Sequence, residues 1–376
     1  MSQAEESDVR WMEEALRLAT LGRYTVSPNP MVGAVVVVNG AIVGRGFHAK
    51  TGEPHAEIHA IRDAGSYAKG ADLVVTLEPC CHHGRTPPCT EAIIRAGIKR
   101  VVVGATDPNP QVSGAGVAHL RAAGIDVVSG VCEAASRILN VAFEKWMKTR
   151  RPWIILKAGA SLDGRIAVGD GTSQWITGPA ARHHVHRLRA SVDAILVGAN
   201  TAVMDDPRLT VRDVSPLFEG AQQPEDPYRV IVDSQLRLPP NARCLVGKGA
   251  IVATSCEPAS DRWAALESKG ATLWHLPQED GQVDLPGLMS RLGSNEAFKT
   301  TSVLVEGGGI LAASLLRHDL VDELTLFMAP RLLGGDGIPM VGALGLSHPH
   351  DSLAWRFVDV AMCGTDVQLR AIRVRS

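Results

Sequence analysis

HAEIHAI (residues 55–61) and DLVVTLEPCCHHGRTPPC (residues 72–89) are the two stretches from which the N-terminal half can be read. The first reads as a helix from near His55 to about Ala64. The second opens with an apolar run, Asp72 to Leu77, that reads as a buried strand ending at Glu78-Pro79-Cys80. Gly84, Pro87 and Pro88 suit a tight loop that folds the chain back to Cys89. A helix follows from about Thr90 to Ala96. A catalytic zinc requires about three protein ligands and one open position for water. One imidazole and two thiolates meet that requirement, so His55, Cys80 and Cys89 are the expected ligands.

Zinc deaminases use this donor set, together with a glutamate near the histidine that carries protons and does not ligate. Glu57 occupies that place. Two thiolates neutralise the formal charge of zinc, so the metal lowers the pKa of its water less than an all-histidine site does. A base is then needed, and Glu57 can later return protons to a ring nitrogen and a departing amine. The usual deaminase signature places its cysteines as P-C-x-x-C, whereas residue 83 here is His and the second candidate is Cys89. Cys81 is not expected to ligate, because adjacent residues at a strand end point in opposite directions. His59 lies four residues after His55 and could share its helical face. Ala56, however, stands where an H-E-x-x-H protease has its glutamate. A purely structural zinc site would need a fourth ligand such as His82 or His83.

Working outward, Asp8 to about Gly22 reads as a helix, with Ser7 or Asp8 as its cap and Trp11, Ala15, Leu18 and Ala19 at helical spacing. SPNP (27–30) reads as a loop. VGAVVVV, Asn39-Gly40 and AIVGRGF read as a β-hairpin. RVVVG, a helix near Val117 to Ala123, the strand DVV and a helix from Glu133 to Met147 follow. The half is α/β, with helices on a mixed sheet. KTRRP marks its end, placing one domain at 1–148 and a second at 149–376. In the second half WIILKAG, DAILVGA, YRVIVDS, GAIVAT, ATLWHL, TSVLVEG and DELTLFMAP read as strands. Helices are expected near Pro179–Arg189, Ala259–Lys269, Pro286–Leu292 and Gly309–Leu316, and residues 213–227 read as a surface loop. No G-x-G-x-x-G follows the first strand. Glu306-Gly307-Gly308-Gly309 instead joins a strand to a helix, where free N–H groups favour an anion.

The 376 residues exceed one ordinary core, and 38 basic against 40 acidic residues give a net charge of −2. No basic face points to nucleic acid, and no run of eighteen apolar residues points to a membrane span. A small-molecule substrate and a cytoplasmic chain are expected, without a nucleic-acid or membrane partner. Three of the seven cysteines fall within ten residues, a pattern that suits a metal better than a disulfide framework. Two rivals remain at this level: a nucleic-acid-editing deaminase with an accessory domain, and a zinc-stabilised interaction protein without catalysis.

PNPMVGAVVV, HAEIHAI, TLEPCCHHGRTPPC and GATDPNP resemble the deaminase half of the bifunctional riboflavin-biosynthesis deaminase–reductases. LKAGASLDGRIA, SQWITG, LVGANTAVMDDPRLTVR and LVEGGGILAASLL resemble the reductase half of that family. The long cysteine spacing agrees with it. The resemblance implies a cytidine-deaminase-like αβα domain followed by a dihydrofolate-reductase-like domain, with zinc in the first and NADPH in the second. It implies hydrolytic deamination at C2 of 2,5-diamino-6-ribosylamino-4(3H)-pyrimidinone 5′-phosphate. Hydride transfer to C1′ of the opened ribosyl group then gives the ribityl chain. Asn29, His48, His82 and Arg85 are candidate substrate contacts in the deaminase. Matched motifs place Gly159, Trp175, Thr201, Asp205, Ser234 and Gly308, Gly309, Ile310, Leu311, Ala312, Ala313 and Ser314 at the cofactor. Ser173, Arg189, Leu209, Arg212 and Glu306 are placed at the reductase substrate. Arg189 and Arg212 suit a phosphate, which guanidinium binds bidentately. Lys157 or Asp205 could assist protonation. The family also implies a homo-oligomer, a dimer or a tetramer.

Overall fold

A computed structural model describes residues 3–82, 87–247, 249–258, 260–279 and 281–375. The chain forms two compact units, one of residues 1–150 with 216–222, the other of residues 151–215 with 223–376.

The first unit is a five-stranded mixed sheet in the order β2 (Ala41–Phe47), β1 (Gly33–Val38), β3 (Asp72–Leu77), β4 (Arg100–Ala105), β5 (Asp126–Ser129). Asn39 and Gly40 both take positive φ, 50° and 80°, as a tight hairpin between β1 and β2 demands. β1 is antiparallel to β2 and β3, whereas β3, β4 and β5 run parallel. The residues of β1, β3 and β4 are buried on both faces, which is why they read as continuous apolar runs. Helices α1 (Gln3–Ala19), α2 (Ala56–Ala64), α3 (Cys89–Ala96), α4 (Ala115–Ala122), α5 (Glu133–Leu139) and α6 (Val141–Thr149) complete the unit. One core cluster brings Ala56, Ala60 and Ile93 against Val75 and Leu77; another brings Met12, Ala15 and Leu18 against Val35 and Val74.

Two expectations are corrected here. The first helix begins at Gln3, so Ser7 and Asp8 lie inside it and cap nothing. Asp8 is buried and takes hydrogen bonds of 2.9 and 2.6 Å from Arg100 on β4. The helix expected over 133–147 is two helices, broken at Asn140, whose φ is −116°. Its side-chain amide is engaged elsewhere, on the backbone of Met31.

The second unit holds a nine-stranded sheet in the order β11 (Thr272–His275), β10 (Ala250–Thr254), β9 (Tyr228–Val232), β8 (Ala194–Gly198), β14 (Ser302–Val305), β6 (Trp153–Ser161), β15 (Glu323–Ala329), β18 (Asp366–Arg373), β17 (Trp355–Cys363). The seven strands from β11 to β15 are parallel, and β18 and β17 close one edge antiparallel. Two short pairs, β7 (Arg165–Ala167) with β16 (Ile338–Pro339) and β12 (Gln278–Glu279) with β13 (Gln282–Val283), stand apart. Helices α7 (Pro179–Ala190), α8 (Ala199–Met204), α9 (Asp261–Glu267), α10 (Leu285–Ser294) and α11 (Gly309–Arg317) fill the connections. β17 and β18 were not read from the sequence. Phe357, Val360 and Met362 on β17 are 65%, 60% and 69% exposed, so this edge strand lacks the inward-outward alternation that announces a strand.

No helix among the described residues is long and apolar enough to cross a membrane. Residues 213–227 form no helix or strand, as expected of a loop, but Pro216–Gln222 belong to the first unit. Phe218 there meets Phe47 edge to face at 5.0 Å, and Lys50 Nζ donates to Gln222 Oε1 at 3.1 Å.

Candidate active sites

In the first unit, helix α2 lies directly on β2 because Gly46 has no side chain. A Cβ at Gly46 would stand 2.3 Å from the Ala56 carbonyl oxygen. That close approach fixes the first turn of α2, where His55 is the N-cap residue and Glu57 follows in the helix. Cys80 follows β3, and Cys89 is the first residue of α3. The three candidate ligands converge: His55 Nδ1 is 3.6 Å from Cys80 Sγ and 3.2 Å from Cys89 Sγ. All three ligand atoms lie within 4.8 Å of one another, the one such His/Cys/Asp/Glu cluster among the described residues. With Zn–N and Zn–S bonds of about 2.0 and 2.3 Å, a tetrahedral site has N···S edges of about 3.5 Å, so this set fits zinc. Cys81 and His59 lie outside the cluster.

The local electrostatics suit a cation. Contact with the Cys89 thiol, and with the His55 ring, holds the Cys80 thiol well below the usual thiol range although burial opposes it, and the same contact pushes Cys89 up. Cys89 N–H also donates to Cys80 Sγ at 3.4 Å. Glu57 is 3% exposed, and its Oε2 finds no hydrogen-bond partner among the described residues. Burial pushes its pKa up, with the His55 charge opposing. A buried carboxylate oxygen without a partner calls for an explanation. A proton-bearing group delivered beside the ligands supplies one.

Asn29 and His48 come together beside this cluster. His48 Nδ1 donates to the Pro54 carbonyl at 3.3 Å, leaving Nε2 to accept from Asn29 Nδ2 at 3.1 Å. The His48 ring sits edge-on to His55 at 5.3 Å, and burial lowers its pKa to about 4, so it is neutral. His82 Nδ1 is buried without a partner among the described residues. His83 and Arg85 lie outside the described residues.

Sequence reasoning passed over two carboxylates here. Glu78 is buried and accepts hydrogen bonds from the backbone N–H groups of Asp107, Gly114 and Val117 at 3.2, 2.9 and 3.0 Å. It thereby pins the loop that carries Asp107 to the site. Burial raises Asp107 to about 6, with Glu78 and Cys80 adding to the rise. The signal lies in TLEPCC and GATDPNP, which carry Glu78 close before the second ligand and Asp107 after β4.

In the second unit the strand order reverses between β8 and β14. β9, β10 and β11 spread one way from β8, whereas β6 and β15 lie beyond β14. Ligands in open α/β sheets bind at such a switch point, outside the carboxyl ends of the strands. Thr201 lies in α8 after β8, Ser234 follows β9, and Glu306 to Gly309 follow β14. A Cβ on Gly308, the N-cap of α11, would stand 3.9 Å from Thr201 Oγ1, so the starts of α8 and α11 adjoin. Gly309 permits a closer approach still, since a Cβ there would meet the Pro339 carbonyl oxygen at 2.5 Å. Gly159 on β6 underlies the Ser173–Thr177 loop, with a built Cβ 3.2 Å from Thr177 Cγ2. Trp175 in that loop is 62% exposed, with the Arg182 guanidinium 4.5 Å over its ring. Ile310 is exposed, whereas Leu311, Ala312, Ala313 and Ser314 are buried, and Ser314 Oγ donates to Gln282 Oε1. Asp205 caps the end of α8, and burial raises its pKa.

The five substrate candidates divide. Arg189 grips Glu306 through Nε and Nη2 at 2.6 and 3.1 Å, and its Nη1 donates to the Thr210 carbonyl at 3.0 Å. Lys157 Nζ reaches Glu306 Oε2 at 3.4 Å. Burial would raise Glu306, but Arg189 and Lys157 overcome it and hold the carboxyl at about 2. Leu209 is buried at φ 55°, between Asp206 at 38° and Asp213 at 56°. Such left-handed conformations cost about 1–3 kcal/mol each and concentrate at functional loops. Arg212 Nη2 is 3.4 Å from His186 Nε2, and Ser173 is half-buried.

Two family descriptions match the chain: "RibD C-terminal domain" over residues 152–369, and "Cytidine and deoxycytidylate deaminase zinc-binding region" over residues 5–105. The riboflavin biosynthesis protein RibD of Escherichia coli (strain K12) is 44% identical over 370 residues, covering 97% of this chain and 99% of that one. The chain belongs to the RibD family. The Aquifex aeolicus RibD is 42% identical over 362 residues, 96% of this chain and 97% of its own. Among solved structures, Acinetobacter baumannii RibD superposes with a TM-score of 0.87 at 38% identity, over 99% of this chain and all of that one. A Thermotoga maritima deaminase/reductase does so with a TM-score of 0.84 at 34% identity and the same coverage. As a RibD, the protein is a bifunctional enzyme of riboflavin biosynthesis, with a cytidine-deaminase-like zinc domain and a dihydrofolate-reductase-like NADPH domain.

Proposed function

We propose that His55, Cys80 and Cys89 hold the zinc and that Glu57 moves protons during deamination of the 2,5-diamino-6-ribosylamino-4(3H)-pyrimidinone 5′-phosphate. The observation that carries this reading is the convergence of one imidazole and two thiols within 4.8 Å beside a buried, unpartnered carboxylate oxygen. Bound zinc would polarise the attacking water. Glu57 takes a proton from that water and returns protons to the ring nitrogen and the leaving amine, so that ammonia departs from C2. Asn29 and His48 present fixed polar edges to the pyrimidine ring. The deaminase function is assigned to residues 1–148 and the reductase function to 149–376.

For the second step, the junction Gly308–Gly309 with Thr201, Gly159, Trp175, Asp205 and Ser234 is proposed as the NADPH site. When bound there, NADPH would supply the hydride for reduction at C1′. The Arg189–Glu306–Lys157 set, with Leu209, Arg212 and Ser173, is proposed to line the site of the reductase substrate, with the Arg189 fork held by Glu306 and Arg212 the guanidinium that faces the phosphate. Lys157 Nζ is placed on Glu306 and can donate a proton to the opened sugar. Gly308→Val is expected to weaken NADPH at least about tenfold, roughly 1.4 kcal/mol, by filling the space in front of Thr201 Oγ1. Titration by nicotinamide fluorescence checks it, and unchanged affinity refutes the placement.

A cytoplasmic homo-oligomer of two or four chains is the organisation that the family resemblance supports. The two steps are tested together by adding substrate and NADPH and following ammonia and NADPH oxidation. Both signals are expected, and both should stop on zinc removal. Ammonia release that survives complete removal of zinc would overturn the metal assignment.

A further inference from the structure

Asn140 stands where α5 ends and α6 begins, with its N–H donating to the Arg137 carbonyl at 3.1 Å and its carbonyl accepting from Glu144 N–H at 2.9 Å. Asparagine is favoured at a helix N-cap because its side-chain oxygen accepts an orphan N–H of the first turn, worth about 1 kcal/mol. Asn140 forgoes that bond: its side chain caps neither helix. The amide instead spans 109 residues of sequence to the SPNPM loop. Met31 N–H donates to Asn140 Oδ1 at 2.8 Å, and Asn140 Nδ2 donates to the Met31 carbonyl at 2.9 Å. Asn140 itself is 7% exposed, and both bonds are part-buried. Arg137 of α5 and Glu144 of α6 pair across the break at 2.9 Å, which holds the bend that aims the amide.

Two residues before Met31 is Asn29, which bonds to His48, whose ring abuts His55. Neither Asn140 nor Met31 belongs to that polar chain. We propose that Asn140 is a positioning residue of the deaminase: its amide clamps the Met31 backbone and so fixes Asn29 for the pyrimidine substrate. The inference rests on the reading of Asn29 as a substrate contact.

The test is a double-mutant cycle in the full chain, with steady-state deamination as the readout. Asn140→Ala is expected to lower kcat/KM for the pyrimidinone substrate about 10- to 100-fold through the loss of both part-buried hydrogen bonds to Met31, with the change mostly in KM. Zinc content, and NADPH-dependent reduction of the already deaminated substrate, should not change; they report an intact chain. In an Asn29→Ala background the Asn140→Ala effect should shrink to less than about twofold, because the residue it acts through is gone. Asn140→Asp keeps an acceptor for Met31 N–H but lacks the donor; it should raise KM too, and it serves if the alanine variant fails to fold. An unchanged KM in the Asn140 variants overturns the inference, as do additive losses in the double variant. No KM change in Asn29→Ala alone refutes the Asn29 reading itself, and the inference falls with it.

Discussion

Replacing Glu57 with glutamine is expected to leave zinc bound and to cut deamination roughly 100- to 10,000-fold. The side chain is buried at 3% exposure beside the His55, Cys80 and Cys89 cluster, and glutamine has nearly its shape. Packing and metal ligation should therefore survive. What disappears is the ability of Oε2, which has no hydrogen-bond partner among the described residues, to accept a proton and give it back. Metal analysis and ammonia release on one preparation check both halves of the expectation. Reduction of separately supplied deaminated substrate should be unchanged, since Glu57 lies in the first unit. Deamination near the wild-type rate would remove Glu57 from the proposed role.

Arg189→Met should destabilise the second unit by about 3–5 kcal/mol and abolish reductase turnover. Breaking a buried pair costs this much because it leaves a charge without compensation. Glu306 would keep only the 3.4 Å contact from Lys157. Its pKa, held at about 2 against an ordinary 4.5, shows what the pair contributes. A depressed carboxylate adds stability above its unfolded pKa and loses it as the pH falls through the folded value. The stabilisation, on the order of 3 kcal/mol, should thus be complete above about pH 5 and vanish toward pH 2. In the variant this acid limb should flatten, because Glu306 titrates closer to its ordinary value. Denaturation followed from pH 7 downward checks the sign. Arg189→Met combined with Glu306→Leu should recover part of the stability, since apolar groups can replace a buried pair, but no turnover. Recovery of both would make the pair merely structural.

How much of this was legible in the sequence depended on whether the signal was local. The Asn39-Gly40 hairpin and the β-branched runs of β1, β3 and β4 follow from short-range patterns, and their strands form where the spacing puts them. His55, Cys80 and Cys89 were recognisable because ligand chemistry restricts residue types, and the structure brings them together. What escaped depended on distant partners. Asn140 breaks a helix in order to reach Met31, and Glu78 binds three backbone N–H groups up to 39 residues away. Asp8 looked like a cap, yet it answers Arg100 on the far side of 92 residues. β17 escaped for the opposite reason: an edge strand exposed on both faces has no apolar side to announce it. Arg189 has the residue type of a phosphate ligand, yet its fork is engaged by Glu306, 117 residues away, an arrangement that composition alone does not foretell.

The central claim is that one chain performs two chemistries in series, deamination first. Mass analysis of the products formed with and without NADPH tests it most directly. Without NADPH, the pyrimidine should accumulate with its amine exchanged for oxygen and its ribosyl group intact. With NADPH, only the deaminated and reduced ribityl product should build up. After zinc removal, NADPH should reduce nothing until the deaminated intermediate is added. A reduced product that still carries the amine would contradict the account.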